Sequence, residues 1–463
     1  AETERETVDA SVEIAGDLAI ARAAEATVNL NENGVVQVDR VTTVGSEFSG
    51  ATGHLQMNGG TLRTGGLTVP DHNALEFRQD FDDGTIIVDG GDLSVPGEVE
   101  FNEGGNTHFH IDGAGPDAHA TLVMENETEA HLDNDGQEVI VGNGFRGTMR
   151  ITEGSSMRTE GMTIGFVEDA HGDVTVTGVD DPAFNVLDRS RLFITETSDD
   201  ADLQDLVVGR AGRGSLDVRA GAEVYVKDNL RIARQPGSVG DVTVNGTYFD
   251  ELDDQDVTPS RLHVGDDLYV AHEPTNDPLI FPGGGDGSLT IEFGGEAVVE
   301  GETIVGARLA DDADLTIEQG ELTTHGLSIN GGFNFEGGVL RVTGNSLNGL
   351  AGDDFALNHE QGETLQLTGG AVFNLDDSPG GDELNIGNTH SGRLELLSGA
   401  TASADDGSAA LGIGSDATVS LIGNGTELSY AGSFQGGFTT ATTPLGEIIV
   451  PGGQATIDVE DGA

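Results

Sequence analysis

Twelve histidines and 82 carboxylates are the residues through which this chain could do chemistry. His108-Phe-His110 has the alternate spacing that places two imidazoles on one face of a strand, with Asp112 and His119 nearby, which is the geometry of a divalent-metal pair. The spacing fixes no third ligand, and a solvated pair is the plainer reading. Three acidic runs, Asp250-Glu-Leu-Asp253-Asp254-Gln-Asp256, Asp311-Asp312-Ala-Asp314 and Asp376-Asp377, put hard oxygen donors into glycine-rich turns. That chemistry suits Ca2+, the one cofactor the sequence points to. None of the runs follows an EF-hand loop or a Gly-Gly-x-Gly-x-Asp repeat, and a charge-dense solvated loop accounts for them equally well.

Catalytic constellations are harder to find. There is no Gly-x-Ser-x-Gly elbow, no His-Glu-x-x-His helix and no phosphate-cradling Gly-Lys loop. A polysaccharide-active enzyme would need carboxylates clustered with a cationic base, and the nearest approach is Arg231 and Arg234 close to Asp228. The chain has no Trp and 4 Tyr, so it lacks the usual sugar-stacking platforms. We therefore assign no catalytic residue and expect a protein that is not an enzyme, with a polysaccharide-active enzyme as an alternative.

The elements that would position these residues are short strands. Gly147-Thr-Met-Arg-Ile151, Gly214-Ser-Leu-Asp-Val218 and Gly287-Ser-Leu-Thr-Ile291 share one pattern, Gly392-Arg-Leu394-Glu-Leu396 reads as a fourth copy, and Gly53-His-Leu55-Gln-Met57 as a shortened relative. Gly172-Asp-Val174-Thr-Val176 matches Gly240-Asp-Val242-Thr-Val244, and Ser190-Arg-Leu192 matches Ser260-Arg-Leu262. The offsets of 67, 68 and 70 residues predict a block repeat. Apolar residues alternate within each strand and Gly, Asn, Asp or Ser bound it, so one face turns inward and tight turns close the ends. No helical period competes. The expected fold is all-β, a right-handed parallel β-solenoid (β-helix) in a single elongated domain of roughly twenty rungs and about 100 Å at about 4.8 Å per rung. A β-propeller or β-sandwich array is the alternative. Irregular loops are expected near 70–135, 179–189 and 247–259.

Over about residues 141 to 310 the repeats resemble the autotransporter and PEP-CTERM-associated passenger repeats of bacterial surface proteins. Val208-Gly209, Gly212, Gly214-Ser-Leu-Asp-Val218, Gly221-Ala-Glu-Val224, Ile232, Gly237-Ser238, Gly240-Asp-Val-Thr-Val244 and Gly246 carry the resemblance. It implies an extracellular β-helix and no particular reaction. The sequence departs from that family in having no translocator barrel or sorting helix.

Charge sets the partners. With 82 acidic against 20 basic residues and a net charge of −62, nucleic acid and anionic lipid would be repelled, and cations attracted. Lys227 is the sole lysine, a balance that suits concentrated salt, hence a halophilic setting, with a merely calcium-rich or high-GC origin as the alternative. No run of 18 apolar residues is present to span a membrane. With no Cys, and with Ala1 opening the sequence, we read a mature extracellular product held together by hydrogen bonds rather than disulfides. Asn126-Glu-Thr128, Asn245-Gly-Thr247 and Asn424-Gly-Thr426 are glycosylation-type sequons consistent with a cell-surface life.

The two ends complete the sequence reading. Residues 1–40 are expected to be an N-terminal strand or cap, 41–430 the solenoid, and 431–463 a C-terminal cap or assembly strand. Val8, Ala10, Val12 and Ile14 alternate at one end, Ala455, Ile457 and Val459 at the other. Each strand could complete a neighbour's sheet, so the expected partner is a second copy, head to tail. The expected function is an extracellular structural subunit of a cell-surface filament or matrix, and the alternative is a monomeric adhesin stalk.

Overall fold

A computed structural model describes residues 11–21, 26–45, 53–69, 81–94, 108–113, 115–132, 138–178, 189–195, 205–246, 259–272, 284–306, 312–344, 346–348, 355–357, 362–374, 383–386, 392–404, 410–413, 417–430, 433–434, 439–443, 446–450 and 456–460. Among them there is no helix. Strands join in parallel, and through the middle of the chain each pairs with the strand three further along, so that the backbone visits three ladders in turn.

The first ladder runs through twelve strands from Ser11–Ile14 to Gly332–Phe335. The second runs through sixteen, from Leu18–Ile20 to Thr456–Glu460. The third runs from His108–Ile111 to Glu427–Tyr430. After Gly332–Phe335, strands of a separate parallel sheet, Phe355–Leu357, Glu383–Ile386, Ala410–Ile413 and Ser433–Phe434, occupy the first ladder's place in chain order. Thr439–Thr443 and Gly446–Val450 form the one antiparallel strand pair among the described residues. Sandwiches and propeller blades are built from antiparallel neighbours, so neither alternative describes these ladders.

Alternation explains the core. Within the first ladder, Leu62, Met149, Leu216, Leu289 and Leu315 share one column and are at most 1% exposed. Ile151, Val176, Val218 and Val244 form the next column two residues on, each 0% exposed. Like stacks on like because parallel in-register pairing places equivalent positions about 4.8 Å apart.

Two turns recur. Between the first and second ladders, two successive residues take positive φ: Glu153 and Gly154, Ala220 and Gly221, Phe293 and Gly294; Ser398 and Gly399 do the same between the second and third. The glycine amide is then capped from the next rung: Gly154 N–H donates to Ser190 Oγ (3.1 Å), Gly221 N–H to Ser260 Oγ (3.0 Å) and Gly399 N–H to Thr426 Oγ1 (3.1 Å). The matched Ser190-Arg-Leu and Ser260-Arg-Leu motifs thus mark a buried capping hydroxyl. At the end of the third ladder a single positive-φ residue recurs, Gly142, Gly165, Gly209, Ala233, Ala271 and Gly306.

The repeat differs from the expected block. Gly147, Gly172, Gly214, Gly240 and Gly287 all stand in one column of the first ladder, so the two sequence patterns are successive rungs of the same ladder. Steps of 25, 42, 26 and 47 residues separate them, and the alternation of short and long steps doubled the apparent period. Gly392, read as another copy, stands instead on the second ladder beside Glu363. Gly53-His-Leu55-Gln-Met57 pairs with Ala26–Asn31, outside that column. Among the described residues the longest ladder has sixteen strands, against the roughly twenty rungs expected, about 70 Å at about 4.8 Å per rung. Much of 70–135 is strand: Phe81–Asp89, Asp92–Ser94, His108–Ile111, His119–Glu125 and Glu129–Leu132. Nearly all of 179–189 and 247–259 lies outside the described residues. The expected boundary at residue 40 falls inside the strand Val35–Val44, which already pairs in two ladders.

Candidate functional site

Outward positions of each ladder also form columns, and their chemistry is ordered. On the first ladder the sequence runs Asp173, Ser215, Asp241, Ser288, Asp314, with each hydroxyl set between acids. Ser215 Oγ donates to Asp173 Oδ1 (2.6 Å) and Ser288 Oγ to Asp241 Oδ1 (2.7 Å). Carboxylates directly stacked about 4.8 Å apart would repel by about 1 kcal/mol even in water, and the interleaved serines remove that contact. Nearby Asp286 is pushed above the usual carboxylate range by burial and then by Asp312, Asp241 and Asp314.

On the second ladder, Arg191, Glu223, Arg261 and Glu296 alternate in sign along one column. Arg191 Nε lies 3.1 Å from Glu223 and Arg261 Nε 2.8 Å from Glu296, while Arg189 reaches Glu223 at 2.5 Å from the preceding turn. The adjacent column carries Arg158, Phe193, Tyr225 and His263. Arg158 lies over the Phe193 ring at 5.2 Å, and Tyr225 stacks on His263 with centroids 4.8 Å apart and planes 9° apart. Stacking along the ladder uses one face of both the Tyr225 and His263 rings, so this column reinforces the rungs and is poorly placed to hold a sugar ring.

The third ladder carries buried charged groups. Asp205 is 3% exposed, accepts from Asn229 Nδ2 (3.0 Å) and pairs with Arg231. Arg231 lies over the Tyr269 ring at 5.2 Å, and Tyr269 donates its hydroxyl to Asp267 Oδ2 (2.8 Å). Asp267 Oδ1 accepts the Glu302 amide (2.7 Å). Burial and the hydrogen bond to Asp267 raise the Tyr269 hydroxyl. Asparagine thus sits between two aspartates, as serine does on the first ladder. The network ties four rungs together through fixed geometry, which is the work of a structural brace. Earlier on the same face, Glu138 is 6% exposed, hydrogen-bonded to the Thr163 hydroxyl and near Arg210 and Arg234; burial pushes its carboxyl up to about 7. Arg231, expected near Asp228, pairs with Asp205 one rung earlier.

Only some of the candidate metal ligands are described. His108 and His110 share the strand His108–Ile111, but both Asp112 oxygens accept backbone amides, from Gly144 (2.8 Å) and Phe145 (2.9 Å), and His119 stands on the first ladder bonded to Thr148 (2.7 Å). Asp312 and Asp314 are described; Asp253, Asp254, Asp256 and Asp311 lie outside the described residues. Among the described residues no group of three or more His, Asp or Glu side chains is arranged to hold a metal ion. The sequons have a local explanation: Asn126 takes φ 56° and Thr128 is a buried turn cap donating to Val88 O (2.9 Å), while Thr426 caps Gly399.

The assembly residues fall on two ladders. Val12 and Ile14 lie on Ser11–Ile14, the first strand of the first ladder, where Val12 is 48% exposed despite aligning with the buried Val36. Ile457 and Val459 lie on Thr456–Glu460, in register with Val419 and Leu421 on the second ladder. Among the described residues each terminal strand pairs on one side only. Val8, Ala10 and Ala455 lie outside the described residues.

The outward columns and the braces were missed from sequence because their partners stand a full rung apart, at separations such as 26 residues for Arg231 and Asp205. Among the described residues no helix is long and apolar enough to cross a membrane. The chain matches no protein-family model and no curated protein.

Proposed function

We propose that this chain is a non-catalytic, extracellular structural protein, a right-handed parallel β-solenoid rod that serves as the repeating subunit of a cell-surface filament or matrix. The observation that carries the reading is the second ladder, which runs without interruption from Leu18–Ile20 to Thr456–Glu460 and pairs on one side only at each end among the described residues. An unpaired strand edge is a template for another chain. The outward columns support a structural role, because arginine, glutamate, serine and aspartate partner their own neighbours one rung away. The resemblance of residues 141–310 to surface-passenger repeats agrees with an extracellular setting, and the charge of −62 makes cations the expected companions of assembly.

Electron microscopy of the purified chain tests this. Uniform filaments are expected in high salt with Ca2+ and their loss after chelation and desalting, because like-charged subunits approach only when screened. Single rods in both conditions would favour the monomeric adhesin stalk.

A further inference from the structure

The proposed assembly poses a choice: among the described residues three strands at the N-terminal end, Ser11–Ile14, Leu18–Ile20 and Ala26–Asn31, pair on one side only, and one of them receives Thr456–Glu460 of the next copy. We infer that Thr456–Glu460 of one copy pairs in parallel with Leu18–Ile20 of a second copy, with Ile457 opposite Leu18 and Val459 opposite Ile20; this rests on the head-to-tail reading and names its contact. Leu18–Ile20 opens the ladder that Thr456–Glu460 closes, and a joint between them extends that ladder from one subunit into the next. Ser11–Ile14 opens a different ladder, whose strands end at Gly332–Phe335.

Side-chain identity tells against Ser11–Ile14, while Ala26–Asn31, which would set Asp458 on Asn29 and Glu460 on Asn31, is set aside because it pairs with Gly53–Gly59 outside the ladder that Thr456–Glu460 closes. With Ile457 on Leu18, the two acids of the last strand, Asp458 and Glu460, fall opposite Ala19 and Ala21, and Asp17 falls opposite Thr456. No acid meets an acid. Pairing with Ser11–Ile14 in the register that sets Ile457 on Val12 places Asp458 on Glu13, and a shift of two residues places Glu460 there. A one-residue slip on Leu18–Ile20 sets Ile457 against Asp17 and Asp458 against Leu18, exchanging every apolar match for a mismatch. Ala19 is exposed and Ile20 is 2% exposed on a strand whose known partner, Thr42–Val44, covers one edge, leaving the geometry of a receiving strand.

The chain has no cysteine, so a cross-link test is clean. Equivalent positions on adjacent parallel strands lie about 4.8 Å apart, within the Cα range of a disulfide. Under filament conditions, the double variant Ala19→Cys/Asp458→Cys is expected to form a reducible series of covalent multimers on mild oxidation, and each single variant to stop at dimers. Glu13→Cys/Asp458→Cys is expected to remain uncross-linked. Filaments without cross-linking in the first pair, or cross-linking in the second, would overturn this register and leave head-to-tail assembly standing. Absence of both filaments and cross-links would remove the assembly reading as well. As a second measurement that introduces no thiol, Ala19→Asp is expected to raise the critical concentration for filaments several-fold at the lowest salt that still supports them, by opposing Asp458. Asp458→Asn in the same chain should reverse the change, and an unchanged critical concentration in Ala19→Asp would count against the contact.

Discussion

Gly209 ends a third-ladder strand with φ 75°, and a Cβ built there would lie 2.2 Å from the Val239 carbonyl oxygen. Strain and overlap together predict that Gly209→Ala lowers stability by about 2–5 kcal/mol, read as a fall in the denaturant midpoint. Ala233 holds the equivalent turn on the next rung at φ 52°, so Ala233→Gly exchanges relief of strain against chain entropy and is expected to change stability by less than about 1 kcal/mol. Glu138 sets a pH dependence. Its folded carboxyl titrates at about 7, above the ordinary value of 4.5, so between those two values the folded state holds the proton more tightly than the unfolded chain. Stability is therefore greatest below the lower value and falls as pH rises through the upper one, by about 3 kcal/mol in all. Thermal melts of wild type and Glu138→Gln between pH 4 and 8 check this, with the variant expected to lose that part of the slope. An identical slope in both would show that Glu138 is ionised without cost. The turn glycines were legible in the sequence because their neighbours recur; Glu138 was not, since its burial depends on what stands around it on other rungs.

Among the elements, the outward columns behave as units. Ser215 separates Asp173 from Asp241 on three consecutive first-ladder strands, and Ser215→Asp would stack three carboxylates with no intervening donor. The variant is expected to melt several degrees below wild type at low ionic strength and to approach it in molar salt, where the Debye length is about 3 Å. A loss of stability indifferent to salt would point to packing instead of charge. Strand alternation made the inward face of every ladder readable, since Leu, Val and Ile at alternate positions admit one burial pattern. Ladder membership was not readable. All three ladders use the same alternation, so Gly392-Arg-Leu394 resembled first-ladder strands while belonging to the second. Long steps such as Gly172 to Gly214 hid the basic rung of about 25 residues beneath a doubled period.

For the whole molecule, composition conveyed an all-β, highly acidic chain without catalytic motifs, and the ladder topology follows from parallel pairing of strands that are close in sequence. The proposed end-to-end register could not be read from alternation alone: Ser11–Ile14 and Leu18–Ile20 both alternate, and their membership of different ladders, with the acids they carry, separates them. The unbroken second ladder has a mechanical meaning. Its hydrogen bonds lie across the rungs, along the direction in which strands accumulate. A load applied along that direction meets the rungs in series, so the outermost yields first and pays out its slack before the next is strained. Such a ladder would give way by peeling, in increments of one rung's contour, and would absorb work over a long extension instead of snapping at a single threshold.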